Sequence, residues 1–307
     1  MENNCPKSWE KTNFGSEYIL HKLTEKFIKE EKLFGLKFVA SEIQNTSQVQ
    51  QKKLRYDTLA FDKKEKAFVI IEYKNKIDEN VLNQAQNYFD LIKEHPQKFT
   101  DRLSDEEDFI NFDKTRVILI GPRFKKDQVK KGKNIDYLEM YKISLYKCGK
   151  EKRCVIYKNI NEDDKNNFNE IRLNVHQKDL EITKEDTLKN KSREIKELYE
   201  DFEKNLNQFQ IKYLVDAVSI KSNDKSICNV DIKKSIKIYF YTHKLNKINK
   251  QLDEDNCGKK NLRNIAYLTT GGPLVYFELT LDRSEIKYAI EIINKIDNAK
   301  NGGKEND

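Results

Sequence analysis

Apolar positions recur along the chain at two spacings, and the switches between them mark its elements. After a polar lead-in over residues 1–14, Tyr18, Ile19, Leu23 and Phe27 repeat at helical spacing, with Ser16 placed to cap that helix and Glu17 in its first turn. "GLKFVASEIQ" then reads as a strand with Glu42 at its end, followed by a polar loop rich in Gln and Ser. "RYDTLAF" and the nearly continuous apolar run "AFVIIEYK", separated by "DKKEK", predict a β-hairpin in a buried sheet. Val81, Leu82, Ala85, Tyr88, Phe89 and Ile92 return to helical spacing, and Pro96 ends that helix. The acidic stretch "DRLSDEEDFINFD" reads as a solvated loop or short helix; without a glycine-bearing loop of alternating ligands it does not match an EF-hand. A buried strand "TRVILIGP", a Lys-rich helix and two further strands, "YLEMYKISLYKC" and "KRCVIYKNI", complete a mixed sheet with helices on its faces.

From 159 to 191 the chain is polar and Asn-rich with little periodicity apart from "IRLNV", which places a linker there between a domain over 1–158 and a second over 192–298. The second opens on a helix with Ile195, Leu198, Tyr199, Phe202 and Leu206 on one side. The strands "YLVDAVSIK", "SICNVDI" and "SIKIYFYT" follow, then a Lys-rich connection, a turn at "TTGGP", the strand "LVYFELTL" and a closing helix "RSEIKYAIEIINKI". The fold class is therefore α/β, with a smaller α+β domain whose sheet is antiparallel, and a disordered tail over 299–307.

Composition narrows the class. The 307 residues are 37% hydrophobic and 36% charged, polar for a globular protein yet short of disorder because apolar runs recur. The net charge of +7 permits nucleic-acid binding without requiring it, since the lysines are scattered. Local basic stripes at "GPRFKKDQVKKGK" and around Lys233 to Lys250 read equally as solvated faces. Cys5, Cys148, Cys154, Cys228 and Cys257 show no Cys-x-x-Cys spacing, so reduced thiols are expected and zinc is not. With no apolar segment near the roughly 18 residues of a membrane span and no signal-like N-terminus, the expected compartment is the cytoplasm and no membrane contact is expected.

The candidate chemistry lies in the hairpin. Asp57 sits near the start of its first strand and Glu72 near the end of its second, so antiparallel pairing brings the two carboxylates together. Side chains alternate along a strand, so Lys74 points with Glu72 while Tyr73 points to the other face. Two carboxylates that close repel unless a cation neutralises them, and hard oxygen ligands suit Mg²⁺ or Mn²⁺. Such an ion polarises a phosphodiester and acidifies its water, with Lys74 placed to orient that water or to stabilise the developing negative charge.

The order Asp57, then Glu72-x-Lys74 at the end of the next strand, resembles the PD-(D/E)XK nuclease superfamily, with Tyr56 in place of the proline. Gln84 and Tyr88, spaced Gln-x-x-x-Tyr on the following helix, look like the motif after the lysine in RecB-like and NucS-type nucleases, and "RVILIGPRF" is similar to NucS-type chains. The resemblance implies a restriction-endonuclease-like αβββαβ core. It implies metal binding by Asp57 and Glu72, completed by Glu17 and with Tyr73 counted among the metal positions. Lys74 would be the catalytic lysine and Gln84 would join the catalytic set. The expected partner is DNA, with Tyr88, Lys125, Lys126 and Lys130 as expected contacts. Residues 186–298 resemble an uncharacterised bacterial domain labelled "predicted transport protein" and found attached to nucleases and restriction systems. Where that domain has a "NIGHWG"-like turn this chain has "NIAYLTTGG", and His243 is a further candidate phosphate or base contact. The expected activity is metal-dependent DNA hydrolysis, in defence against foreign DNA or in repair. A nucleic-acid binder that no longer cuts, and an interaction protein recruiting partners through its C-terminal domain, stay open beside it, as does homodimerisation.

Overall fold

The computed structural model describes residues 9–46, 53–103, 109–148, 152–161, 170–242, 245, 248–250, 252, 254, 261–269 and 272–301. The chain divides into two compact units, Met1–Glu181 and Ile182–Asp307.

The first unit runs β1 (Glu10–Thr12), α1 (Glu17–Lys29), β2 (Leu36–Thr46), β3 (Lys53–Asp62), β4 (Ala67–Tyr73), α2 (Val81–Glu94), α3 (Pro96–Thr100), β5 (Arg116–Gly121), α4 (Lys126–Gly132), β6 (Leu138–Cys148), β7 (Lys152–Asn159) and β8 (Glu170–Val175). Its eight strands form one sheet in the order β2-β3-β4-β5-β6-β7-β8, with β1 alongside β6. β4, β5 and β6 are parallel and the remaining pairs antiparallel, so the sheet is mixed. α1 packs on β2 and β4, and α2 on β3, β4 and β5. Helices on both faces explain why every residue of β4 is buried and why its sequence is a continuous apolar run rather than an alternation. Between β3 to β5 and α2, the core is Leu59, Phe61, Phe68, Ile70, Val117 and Leu119 against Val81, Ala85, Tyr88, Leu91 and Ile92. Ser16 caps α1, its hydroxyl accepting from the Ile19 N–H at 3.2 Å.

Two strands lie where the sequence predicts none. β1 falls in the polar lead-in and β8 inside the expected linker; each is an edge strand held by ladder bonds to one neighbour, β1 without apolar residues of its own and β8 with the short alternation Ile171, Leu173, Val175. Glu42 lies inside β2 rather than at its end, at φ 50°, and pairs with Arg55 at 2.9 Å.

The second unit holds α5 (Lys184–Leu188), α6 (Arg193–Glu203), β9 (Gln210–Tyr213), β10 (Ala217–Ser222), β11 (Lys225–Ile232), β12 (Ile236–Tyr241), β13 (Leu262–Thr269), β14 (Gly272–Leu281) and α7 (Ile286–Asn301). Six antiparallel strands follow the order β13-β14-β12-β11-β10-β9. Alternation is clean in β12, whose Ile236, Ile238 and Phe240 join a core with Tyr199 and Phe202 of α6 and Ala289, Ile292, Ile293 and Ile296 of α7. The expected single strand "YLVDAVSIK" is two, because the chain turns at 214–216 and Leu214 N–H bonds the Ala217 carbonyl at 2.8 Å. Leu188, within the expected linker, also belongs to this core, so the junction falls at 181/182. The expected tail begins later than 299: α7 runs to Asn301, held by Lys300 Nζ on the Ser226 carbonyl (2.7 Å) and Asn301 Nδ2 on Ser222 Oγ (3.0 Å). Residues 302–307, His243 and positions 104–108 of the acidic stretch lie outside the described residues. Truncating the fully buried Phe240 to Ala is expected to cost about 3–5 kcal/mol, read as a lower urea midpoint by circular dichroism.

Cys228 is a buried free thiol, and burial pushes its pKa well above its ordinary value. No helix among the described residues is long and apolar enough to cross a membrane.

Candidate active site

The β3–β4 ladder ends at Thr58↔Ile71, and Asp57 and Glu72 are the next residue on each strand. Opposed residues of an antiparallel pair project from the same face, so the two carboxylates share one patch at the sheet's end. Asp57 Oδ2 accepts the Tyr73 N–H at 3.0 Å, which fixes the aspartate against the opposing strand. On the other flank, Lys74 N–H donates to the Ile120 carbonyl of β5 at 2.9 Å, extending the parallel register by one residue beyond the strand. That anchor points the Lys74 ammonium back to Glu72 Oε1 at 2.7 Å, with Asp78 Oδ2 at 3.7 Å. Glu17, in the first turn of α1, reaches the same place and accepts the Asn75 N–H at 2.8 Å.

Close backbone approach at β5 supports this arrangement. A Cβ on Gly121 would lie 3.1 Å from the Lys74 carbonyl oxygen and 3.3 Å from the Phe124 ring, so a side chain there would press on the strand end that carries the lysine.

Burial sets the electrostatics. Glu72 is 4% exposed; its burial, reinforced by the Asp57 charge, lifts its pKa to about 7 against the pull of Lys74. Asp57 is raised too, chiefly by burial, with Glu17 adding repulsion and the Tyr73 N–H, His21 and Lys74 opposing. The Lys74 ammonium is held above its ordinary value because Glu72, Glu17 and Asp57 outweigh its own burial. Glu72 Oε2 is buried and has no hydrogen-bond partner among the described residues. An acceptor left bare in this way is costly unless something fills its coordination.

α2 supplies the opposite wall. Tyr88 donates its hydroxyl to the Arg55 carbonyl at 2.6 Å beside Glu72, and burial next to two carboxylates pushes its pKa well up. Gln84 sits one turn earlier on the same face, and its Oε1 is likewise buried without a partner. Tyr88 thus lies against the carboxylates, with Gln84 one turn away on the same helix. Of the three expected DNA-contact lysines, Lys125 precedes α4 and pairs with Glu79, while Lys126 and Lys130 are exposed on that helix.

A second polar layer lies on the α1 side of the sheet. Tyr73 OH donates to Thr58 Oγ1 (3.1 Å), which donates to Glu25 Oε1 (2.8 Å); His21 Nε2 is 2.9 Å from the same oxygen and its ring stacks on Tyr73 at 4.7 Å. Burial alone would raise Glu25, yet the bond and charge of His21 with the Ser41 and Thr58 hydroxyls bring it down to about 2. The Tyr73 phenol is therefore occupied in this network, and Tyr73's contribution to the carboxylate patch is its N–H. Sequence reasoning missed His21, Glu25 and Thr58: the spacing of four between Glu17, His21 and Glu25 puts these three on one side of α1, but nothing local says what they meet on the sheet.

Among the described residues, no group of three His, Cys, Asp or Glu side chains is arranged to hold a metal ion. Asp57 and Glu17 each spend one oxygen on a backbone N–H and Glu72 one on Lys74. What remains fits a hard divalent cation by its chemistry: carboxylate oxygens only, one of them buried and bare.

No family model and no solved structure matches the chain. An uncharacterized protein of Haemophilus influenzae is 25% identical to it over 265 residues, covering 80% of this chain and 83% of that protein. The match is longer than either unit, so it extends over both.

Proposed function

We propose that the first unit is a metal-dependent nuclease that hydrolyses DNA phosphodiester bonds. The observation that carries this reading is the buried, partnerless Glu72 Oε2 at a patch shared with Asp57 and completed by Lys74. Asp57 and Glu72, with Glu17 beside them, would hold Mg²⁺ or Mn²⁺, which when bound polarises a phosphodiester and acidifies its water. Lys74 keeps its proton in this setting and presents a fixed positive charge where negative charge grows on the phosphate. Tyr88 and Gln84 shape the wall facing that charge. The element order α1, β2, β3, β4, α2, β5 supports a restriction-endonuclease-like core for the same unit. The second unit would supply substrate grip, dimer contacts or a protein partner's docking site. Action in the cytoplasm, in defence or repair, is part of the proposal by analogy with the company such domains keep.

One observation favours a second reading, a nucleic-acid binder that does not cut: every acidic group of the patch already has a protein donor on one oxygen. Incubating the full chain with supercoiled plasmid, linear duplex and single-stranded DNA, with Mg²⁺, Mn²⁺ or EDTA, separates the two. Metal-dependent fragments are expected; salt-sensitive binding without fragments in any metal would move the assignment to the binder.

A further inference from the structure

Beside the carboxylate patch the first unit contains a cleft of about 680 Å³ whose lining includes Lys11, Asn13, Lys76, Ile77, Arg123 and Ser144. Among the described residues three cations line it and no carboxylate does. Lys11, Lys76 and Arg123 are all exposed, and none forms an ion pair among the described residues. The cleft begins where the patch ends, because Asn75, whose N–H holds Glu17, is itself in the wall, and Lys76 is two residues beyond Lys74. On the opposite side Lys11 lies on β1, the strand that the pairing with β6 brings next to the 122–123 turn.

Like charges gathered without counter-ions are unfavourable alone and become favourable around a polyanion. Lys11 registers that crowding: its pKa is lowered by burial and then by the charges of Lys142 and Arg123. The exposed Ile77, 47% accessible, gives the same cleft an apolar surface against which a sugar or base can lie.

We propose that this cleft takes the phosphates of one nucleic-acid strand and feeds that strand to the Asp57–Glu72–Lys74 patch. The identification of the strand as substrate rests on the nuclease reading, whereas the anion site rests on the cleft itself. A second consequence is that strand contact centres on Lys11, Lys76 and Arg123 rather than on the lysines of α4.

The test is binding of a labelled 12-nucleotide single strand and its duplex to the full chain in EDTA, across a salt series. The double variant Lys11→Glu, Arg123→Glu is compared with Lys64→Glu, a charge reversal at an 89% exposed side chain in the hairpin turn, at its other end from Asp57 and Glu72. Losing two phosphate contacts is expected to lower the slope of log K against log salt by about 1.4 for the single strand and to weaken binding about tenfold or more, with Lys64→Glu unchanged. Equal affinity and slope in the double variant, or no binding by the native chain, overturns the cleft. Circular dichroism melts confirm that the exposed substitutions leave the fold intact. Cutting is scored separately in Mn²⁺, so loss of the nuclease reading appears as intact binding through the cleft with no fragments, and loss of the cleft as fragments produced equally by the double variant.

Discussion

Lys74→Ala is expected to slow metal-dependent DNA cleavage at least about a hundredfold, the scale seen when one preorganised charge or donor is removed from a transition state. The ammonium is anchored at both ends. Its backbone is tied to Ile120 of β5 and its Nζ to Glu72 Oε1 at 2.7 Å, with 16% of the side chain exposed. A charge so held needs no reorganisation when phosphate charge develops, so the loss belongs in kcat with KM little changed. Removal of the lysine also takes away the cation that opposes the burial of Glu72, whose carboxyl then holds its proton to higher pH. Residual cutting by the variant should therefore shift its pH dependence upward. Lys74→Arg keeps the charge but replaces a compact ammonium by a planar fork, and is expected to recover little. Single-turnover rates on linear duplex, beside melts of each variant, make the comparison; a rate within a few-fold of the native chain would remove Lys74 from the chemistry.

Glu72→Gln should also abolish cleavage, yet leave the protein harder to unfold. In the unfolded chain this carboxyl titrates near its ordinary 4.5, whereas in the fold burial and the Asp57 charge carry it to about 7. The folded state therefore holds the proton more tightly. Stability contributed by the protonated group is present below the unfolded value and is lost as pH rises from about 4.5 through about 7. Above that window an ionised, largely buried carboxylate is carried at a cost on the order of 3 kcal/mol. The amide does not titrate, so its advantage should be near zero at pH 5 and should emerge as a higher Tm at pH 8. Added Mg²⁺ or Mn²⁺ should stabilise the native chain at pH 8 by mass action and the variant much less. Equal melting temperatures for the two proteins across pH 5 to 8, with no response to either ion, would contradict both the buried charge and the metal site.

The core of the site was legible because hairpin geometry is local. Thr58 and Ile71 are joined across a short turn, so the period of two alone brings Asp57 opposite Glu72 and Lys74 onto the side of Glu72. The common helix face of Gln84 and Tyr88 was legible for the same reason, a helical repeat starting a few residues after the strand. Glu17 was legible only as an acid in a first turn; its place beside Asn75 depends on how α1 lies over the sheet. The His21–Glu25–Thr58–Tyr73 network and the close approach at Gly121 were not legible, since each joins residues distant in sequence. Edge strands were missed likewise: β1 is three polar residues placed by β6, and the short alternation Ile171, Leu173, Val175 of β8 stands in a polar, Asn-rich stretch and becomes a strand by pairing with β7.

Local rules, the periodicities of two and 3.6, the Ser16 cap and the stop at Pro96, determined in the sequence the succession of helices and strands and the meeting of Asp57, Glu72 and Lys74. Only the tertiary structure decided what surrounds them. Burial lifts Glu72, the β1–β6 pairing brings Lys11 to the cleft with Arg123, and the helices on both faces exclude water from β4. Each of these depends on segments far apart in the chain arriving together, and desolvation and charge crowding are properties of that arrival rather than of any one stretch.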